Sequence, residues 1–162
     1  VLSNVPGDST RPTQARVRKS MLQIFEPLKG AKVLDLFSGS GVLGIEALSR
    51  GASKLVSIEK NRKIFSSLSK NLKSICRDEE KFEALCVDAF YYLKKSKEKF
   101  DVIICDPPYN QYDYMELFRL SSKLLDEDGI FCMEMRKRYI STDIFEIRTY
   151  GSTQIILWRN NG

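Results

Sequence analysis

Asp106-Pro107-Pro108-Tyr109 follows directly on a continuous apolar run, Val102-Ile103-Ile104-Cys105. Neither proline can extend a strand or enter a helix interior, because each lacks a backbone N–H and fixes φ. The pair makes a stiff turn at the end of a buried strand, with a carboxylate before it and an aromatic ring after it. A carboxylate and a backbone carbonyl aimed at one point can accept two hydrogen bonds from a single –NH2 group, and the ring can stack on a flat heterocycle. That chemistry suits an amino or amide nitrogen held still for reaction. These four residues form the candidate catalytic group.

A second constellation lies upstream, where Asp35-Leu36-Phe37-Ser38-Gly39-Ser40-Gly41-Val42-Leu43-Gly44 carries GxGxxG between an apolar run and a helical pattern. Glycines there permit a tight turn and close approach of the backbone to a ligand. A dinucleotide site is the obvious competitor, since a helix N-terminus in that position receives pyrophosphate. Asp35 argues otherwise: a carboxylate in the turn repels pyrophosphate but attracts an ammonium or sulfonium. Glu59, fifteen residues after Gly44, is placed to accept from two ribose hydroxyls, and Asp88 to reach an adenine amino group. A cationic centre, an amino acid end, a ribose and an adenine together describe S-adenosylmethionine.

These groups need a scaffold that brings strand ends together. From Ala31 onward, short apolar runs (Val33 to Phe37, Leu55 to Ile58, Ala84 to Val87, Val102 to Cys105, Ile130 to Glu134) alternate with helix-length amphipathic segments (Val42 to Ser49, Asn61 to Ile75, Ala89 to Lys95, Tyr114 to Leu125). Regular β-α alternation with apolar strands predicts a parallel sheet covered on both faces. Ile144 to Tyr150 and Thr153 to Arg159 flank Gly151-Ser152 and read as an antiparallel hairpin at one edge. A helix is expected over Thr13 to Glu26, stopped by Pro27. Ligands of open parallel sheets sit beyond the carboxyl ends of the strands, which places Asp35 to Gly44, Glu59, Asp88 and Asp106 to Tyr109 on one rim. Arg136-Lys137-Arg138 shares it, while Lys94, Lys95, Lys97 and Lys99 fall on the opposite side. Phe90 and Tyr112 are further candidates for the pocket wall. Phe37 and Tyr91 are expected to pack in the core and Tyr92 to lie at the surface.

With 162 residues, 43% of them hydrophobic and 29% charged, the chain matches one globular domain, and no apolar run is long enough to span a bilayer. Residues 1–30 read as an N-terminal segment and entry helix, and 31–162 as the ligand-binding part of one compact unit. The N-terminus has no secretory pattern, and the first residue is not Met. The absence of histidine removes His-dependent triads and His-ligated zinc. Cys76, Cys86, Cys105 and Cys132 form no CxxC pair and read as buried free thiols in a reducing, cytoplasmic setting, with no metal expected. The net charge of +5, clustered at Arg11, Arg16, Arg18 and Lys19 and again at Arg136 to Arg138, suits a polyanionic partner.

Taken together, these segments resemble the Rossmann-like class I S-adenosylmethionine-dependent methyltransferases. Asp35 to Gly41 looks like their motif I, Glu59-Lys60 like the ribose-binding acidic position and Asp88-Ala89 like the adenine contact. Asp106 to Tyr109 looks like the (Asn/Asp)-Pro-Pro-(Tyr/Phe) motif of amino methyltransferases. Arg11-Pro-Thr-Gln-Ala-Arg-Val-Arg18 and the segment from Leu34 to Ala52 resemble the RsmD group, which methylates guanine N2 in small-subunit rRNA. The likeness runs from about Pro6 to Arg159, although the basic, Gly-containing segment usual before Arg-Pro-Thr is missing from these residues. The resemblance implies an α/β fold with a mostly parallel seven-stranded sheet, helices on both faces and a C-terminal antiparallel hairpin. It also implies a cytoplasmic, monomeric rRNA methyltransferase acting on ribosomal RNA or the small ribosomal subunit, with no membrane and no metal. Asp35, Phe37, Ser38, Gly39, Ser40, Gly41, Glu59, Lys60, Asp88, Ala89 and Asp106 would hold the cofactor, and Asp106, Pro107, Pro108 and Tyr109 the reacting amine. Arg11, Arg16, Arg18, Arg136, Lys137 and Arg138 would contact RNA. DNA adenine-N6 and protein glutamine-N5 methylation suit the same geometry. A nucleotide-binding oxidoreductase and a non-catalytic RNA-binding module are the alternatives from other classes.

Overall fold

The computed structural model describes residues 12–161. Five parallel strands, β1 (Lys32–Asp35), β2 (Lys54–Ile58), β3 (Phe82–Leu85), β4 (Phe100–Cys105) and β5 (Leu125–Arg136), are joined through helices α2 (Val42–Ser49), α3 (Arg62–Ile75), α4 (Ala89–Lys95) and α5 (Tyr114–Ser122). Helix α1 (Pro12–Phe25) precedes them, and β6 (Glu146–Tyr150) and β7 (Thr153–Arg159) close the chain. The sheet order is β3-β2-β1-β4-β5-β7-β6, with β7 antiparallel to both β5 and β6. The order reverses between β1 and β4, so the loops after these two strands open a crevice at their carboxyl ends.

The two faces carry separate apolar layers. Val17 and Met21 of α1, Leu43 of α2 and Leu68 and Leu72 of α3 pack on Val33, Val102, Ile104, Ile130 and Cys132. On the other face, Tyr92 and Leu93 of α4 and Leu117 and Leu120 of α5 pack on Leu34, Ile103, Phe131 and Met133. Alternate residues of each strand serve alternate layers, as the two-residue period of a pleated strand requires. Close packing explains the third glycine of the turn: a Cβ on Gly44 would meet Leu55 Cδ2 at 2.7 Å.

The expected α/β architecture is present, with shifted boundaries. Strand β3 ends at Leu85, so Cys86 is exposed rather than buried, and Cys76, at the end of α3, is only partly covered. Helix α5 stops at Ser122, and Leu125 already belongs to β5. The acidic stretch Asp126 to Asp128 is exposed, Asp128 has φ of 65°, and the β4–β5 register shifts between Phe100 and Val102. An irregular strand entry therefore looks like a helix end in sequence. Tyr91 and Tyr92 exchange their expected places. Helical spacing puts Ala89, Tyr92 and Leu93 on the sheet and leaves Tyr91 57% exposed.

Candidate active site

A cavity of about 430 Å³ opens at the carboxyl ends of β1, β2, β4 and β5. Its walls bring together Asp35, Phe37, Ser38, Gly39, Ser40, Glu59, Lys60, Ala89, Asp106, Pro107, Pro108 and Tyr109, together with Gln14, Arg18, Tyr112 and Glu134.

The glycine turn is tied down from two sides. Gly39 and Gly41 have φ of 56° and 94°, a region that favours glycine. Glu59 spans the rim, its Oε1 accepting from the Gly39 N–H at 3.1 Å and its Oε2 from the Asn61 N–H at 3.0 Å. Asn71 on α3 donates to the Ser40 carbonyl at 2.9 Å. Asp35 is buried below the turn, and its Oδ1 has no hydrogen-bond partner in the protein. Burial pushes its carboxyl up to about 7, opposed by a hydrogen bond with Ser38 and reinforced by the Glu59 charge. An unpartnered buried carboxylate oxygen is costly alone and is satisfied by a cation.

Asp88 behaves differently from its neighbours. It caps α4, accepting from the Tyr91 N–H at 3.2 Å, and receives the Tyr112 hydroxyl at 3.3 Å. Ala89, not the Asp88 side chain, lines the cavity. Tyr112 packs edge-on against Phe37 at 4.9 Å between ring centres and tilts on Phe90 at 5.5 Å. The Lys60 ammonium sits 5.6 Å from the Tyr112 ring centre. This aromatic corner is suited to a flat heterocycle. Phe37 is part of it, not core alone.

Beyond β4, Tyr109 is 43% exposed and Arg136 lies 4.9 Å from its ring centre. Arg138 stacks similarly on Tyr114 at 5.0 Å. Arg136, Lys137 and Arg138 are exposed, as is Arg16, whereas Arg18 turns into the cavity. Arg11 lies outside the described residues. Among the described residues no group of three or more His, Cys, Asp or Glu is placed to hold a metal ion, and no helix is long and apolar enough to cross a membrane.

Glu134 is a site residue that the sequence reading passed over. It is only 8% exposed and lines the cavity beside Asp106. Burial, then the charge and hydrogen bond of Glu134, then Asp35, hold the Asp106 carboxyl well above the ordinary range, with Arg18 opposing. Burial likewise raises Glu134, against Asp106 and Arg18. The signal in the sequence was one acid inside an otherwise apolar strand, Ile130-Phe-Cys-Met-Glu-Met135.

The family model described as Conserved hypothetical protein 95 matches residues 1–159. Ribosomal RNA small subunit methyltransferase D of Buchnera aphidicola is 37% identical over 83% of this chain and 71% of its own length. The chain belongs to this methyltransferase D (RsmD) family. A hypothetical protein of Thermus thermophilus superposes with a TM-score of 0.80 at 27% identity, over 98% of this chain and 92% of that one. SMU.776, a methyltransferase by name and solved with SAH, shares the fold at a TM-score of 0.73 and 18% identity, over 91% and 49%. This chain is a methyltransferase of the RsmD type with a Rossmann-like fold, and SAH, held by SMU.776, is the demethylated form of S-adenosylmethionine. The residues present fit that ligand: the unpartnered Asp35 oxygen for a cation, the cavity-lining turn at Ser38 to Ser40 for the amino acid end, and the Phe37–Tyr112 corner for the base.

Proposed function

We propose that this chain methylates the exocyclic N2 of a guanine in small-subunit ribosomal RNA, in the cytoplasm, as naked rRNA or within the assembling subunit. The observation that carries the reading is the convergence, in one cavity, of the glycine turn, Glu59 and the Asp106-Pro-Pro-Tyr109 turn. When bound, S-adenosylmethionine supplies an electrophilic methyl on a sulfonium. Asp35 would hold its cationic end, the Ser38 to Gly41 backbone its polar groups, and Glu59 the ribose.

The amino lone pair of guanine is delocalised into the ring and is a poor nucleophile. Asp106 and the Pro107 carbonyl accept the two amino hydrogens and turn the nitrogen toward the methyl group, so that orientation supplies most of the rate. The negative potential of the rim favours the nitrogen as it becomes positive. Asp106 then takes the released proton. Tyr109 stacks on the base once it has left its own helix or loop, a contact worth about 1–3 kcal/mol. Exposed Arg16 and Arg136 to Arg138 contact phosphates, positioning the RNA without reading it.

The decisive experiment offers labelled S-adenosylmethionine and small-subunit particles or rRNA lacking the modification, beside DNA and protein acceptors, and digests the product to nucleosides. The expected product is N2-methylguanosine in RNA alone. Label in DNA, in protein or on another RNA atom overturns the assignment.

A further inference from the structure

Three carboxyl groups sit close together in the fold because of strand register. Asp35 pairs with Ile104, and Ile104 with Cys132, so these three residues of β1, β4 and β5 lie side by side. Asp106 and Glu134 come two residues later on the same face, about 6–7 Å further toward the rim. Cys105 and Met133 are register partners, so Asp106 and Glu134 follow them as immediate neighbours. The face they share is the apolar layer beneath α1, and Arg18 of α1 lines the same cavity.

A carboxylate at Glu134 is expensive unless it is paired. With Asp106 as its neighbour across the register, the pair is least costly with one proton held between the two groups. The chemistry proposed above uses Asp106 and the Pro107 carbonyl for the two amino hydrogens and leaves Glu134 without a task. Yet Glu134 lines the same cavity beside Asp106.

Nucleobases differ at the ring position next to the reacting amine. In guanine the neighbour of the 2-amino group is N1–H, a donor. In adenine and cytosine the ring nitrogen beside the amine carries a lone pair, as it does in 2,6-diaminopurine. Two adjacent acceptors match two adjacent donors, and only guanine has them. We propose that Glu134 reads the target base, its carboxylate accepting the guanine N1–H while Asp106 and the Pro107 carbonyl hold the neighbouring 2-amino group. The shared proton passes to solvent as the base donors replace it, and Arg18 remains as the counter-charge. A base with a lone pair at that position meets a second acceptor and is rejected. This inference rests on the guanine-N2 reading and supplies its selectivity.

The test uses the full chain and reconstituted small-subunit particles whose target nucleotide is guanine or, by splinted ligation, 2,6-diaminopurine, which keeps the 2-amino group and lacks N1–H. Wild type should prefer guanine by at least about a hundredfold in kcat/KM, since sites built around a donor can reject its absence by up to about 10⁴–10⁵-fold. In Glu134→Gln the amide can donate to the lone pair, and the preference should shrink at least tenfold relative to wild type. A residue that merely supports Asp106 would slow both substrates alike and leave the ratio unchanged; that result overturns the proposal. Equal use of both bases by wild type overturns it without any variant, even if Glu134→Gln fails to fold. Absence of N2-methylguanosine from the guanine particles overturns the functional reading, and this inference with it.

Discussion

Glu59, just past the end of β2, accepts a hydrogen bond at 3.1 Å from the N–H of Gly39 in the turn after β1. The same carboxylate accepts from Asn61, so one side chain fixes the glycine turn and the start of α3 while keeping lone pairs toward the cavity. Glu59→Ala removes both functions. It should weaken S-adenosylmethionine binding about ten- to a hundredfold, the range for lost hydrogen bonds to a charged group. Glu59→Gln, which keeps one acceptor for the turn, should lose less. Calorimetric titration checks both, and wild-type affinity in the alanine variant would refute the assignment.

Asp106→Asn should separate chemistry from cofactor capture. Asn donates as well as accepts, so it disturbs the hold on the amine while leaving the glycine turn intact. The expected loss is about 10²–10³ in kcat, comparable to removing one oriented electrostatic partner of a transition state, with S-adenosylmethionine affinity little changed. Single-turnover rates beside equilibrium binding give the answer. Near-normal turnover would remove Asp106 from the reaction.

Asp35 predicts an inverted pH dependence. Its carboxyl is raised from 3.8 to about 7, chiefly by burial, so between those values the folded ligand-free protein holds a proton that the unfolded chain releases. The stability contributed is full below about 4 and is lost as pH rises through about 7, at most roughly 4 kcal/mol. Asp106 and Glu134 are raised for the same reason and act in the same direction, with Arg18 opposing. The cofactor's cationic end favours ionised Asp35, so the rise in Tm on adding S-adenosylmethionine should be larger at pH 8 than at pH 6. Differential scanning calorimetry of wild type and Asp35→Asn tests this. The variant should lose most of the difference, and an unchanged difference would contradict the role given to Asp35.

The exposed arginines at the end of β5 and just after it bear on RNA. Replacing Arg136 and Arg138 together by Ala should flatten the plot of log affinity against log salt by about 1.4, at roughly 0.7 per single-strand phosphate contact. Filter binding across a salt series measures it. An unchanged slope would return both residues to a purely structural role, stacking on Tyr109 and Tyr114.

The sheet and the meeting of the strand-end motifs in one cavity were legible in the sequence because such motifs are local. Asp35, Gly39 and Asp106 each announce themselves within a few residues of an apolar run. What was not legible depends on register between distant strands. Glu134 reads as one more residue of a strand, and only its alignment beside Asp106 gives it a role. Arg18 looked like an RNA contact by charge and belongs to the cavity by helix phase. Asp88 lies three residues beyond the end of β3 and caps α4, a task that its place after an apolar run did not announce.

The alternation along β5 ties selectivity to accuracy of folding. Its seven partner pairs with β7, from Ile130–Arg159 to Arg136–Thr153, fix which residues face the crevice. A slip of a single step would swing Glu134 into the opposite layer and offer the thioether of Met133 or Met135 in its stead. Such a molecule would still hide its greasy side chains and would be blind to the base it was meant to choose. The terminal hairpin thus acts as a proofreader of the active centre from the far edge of the sheet.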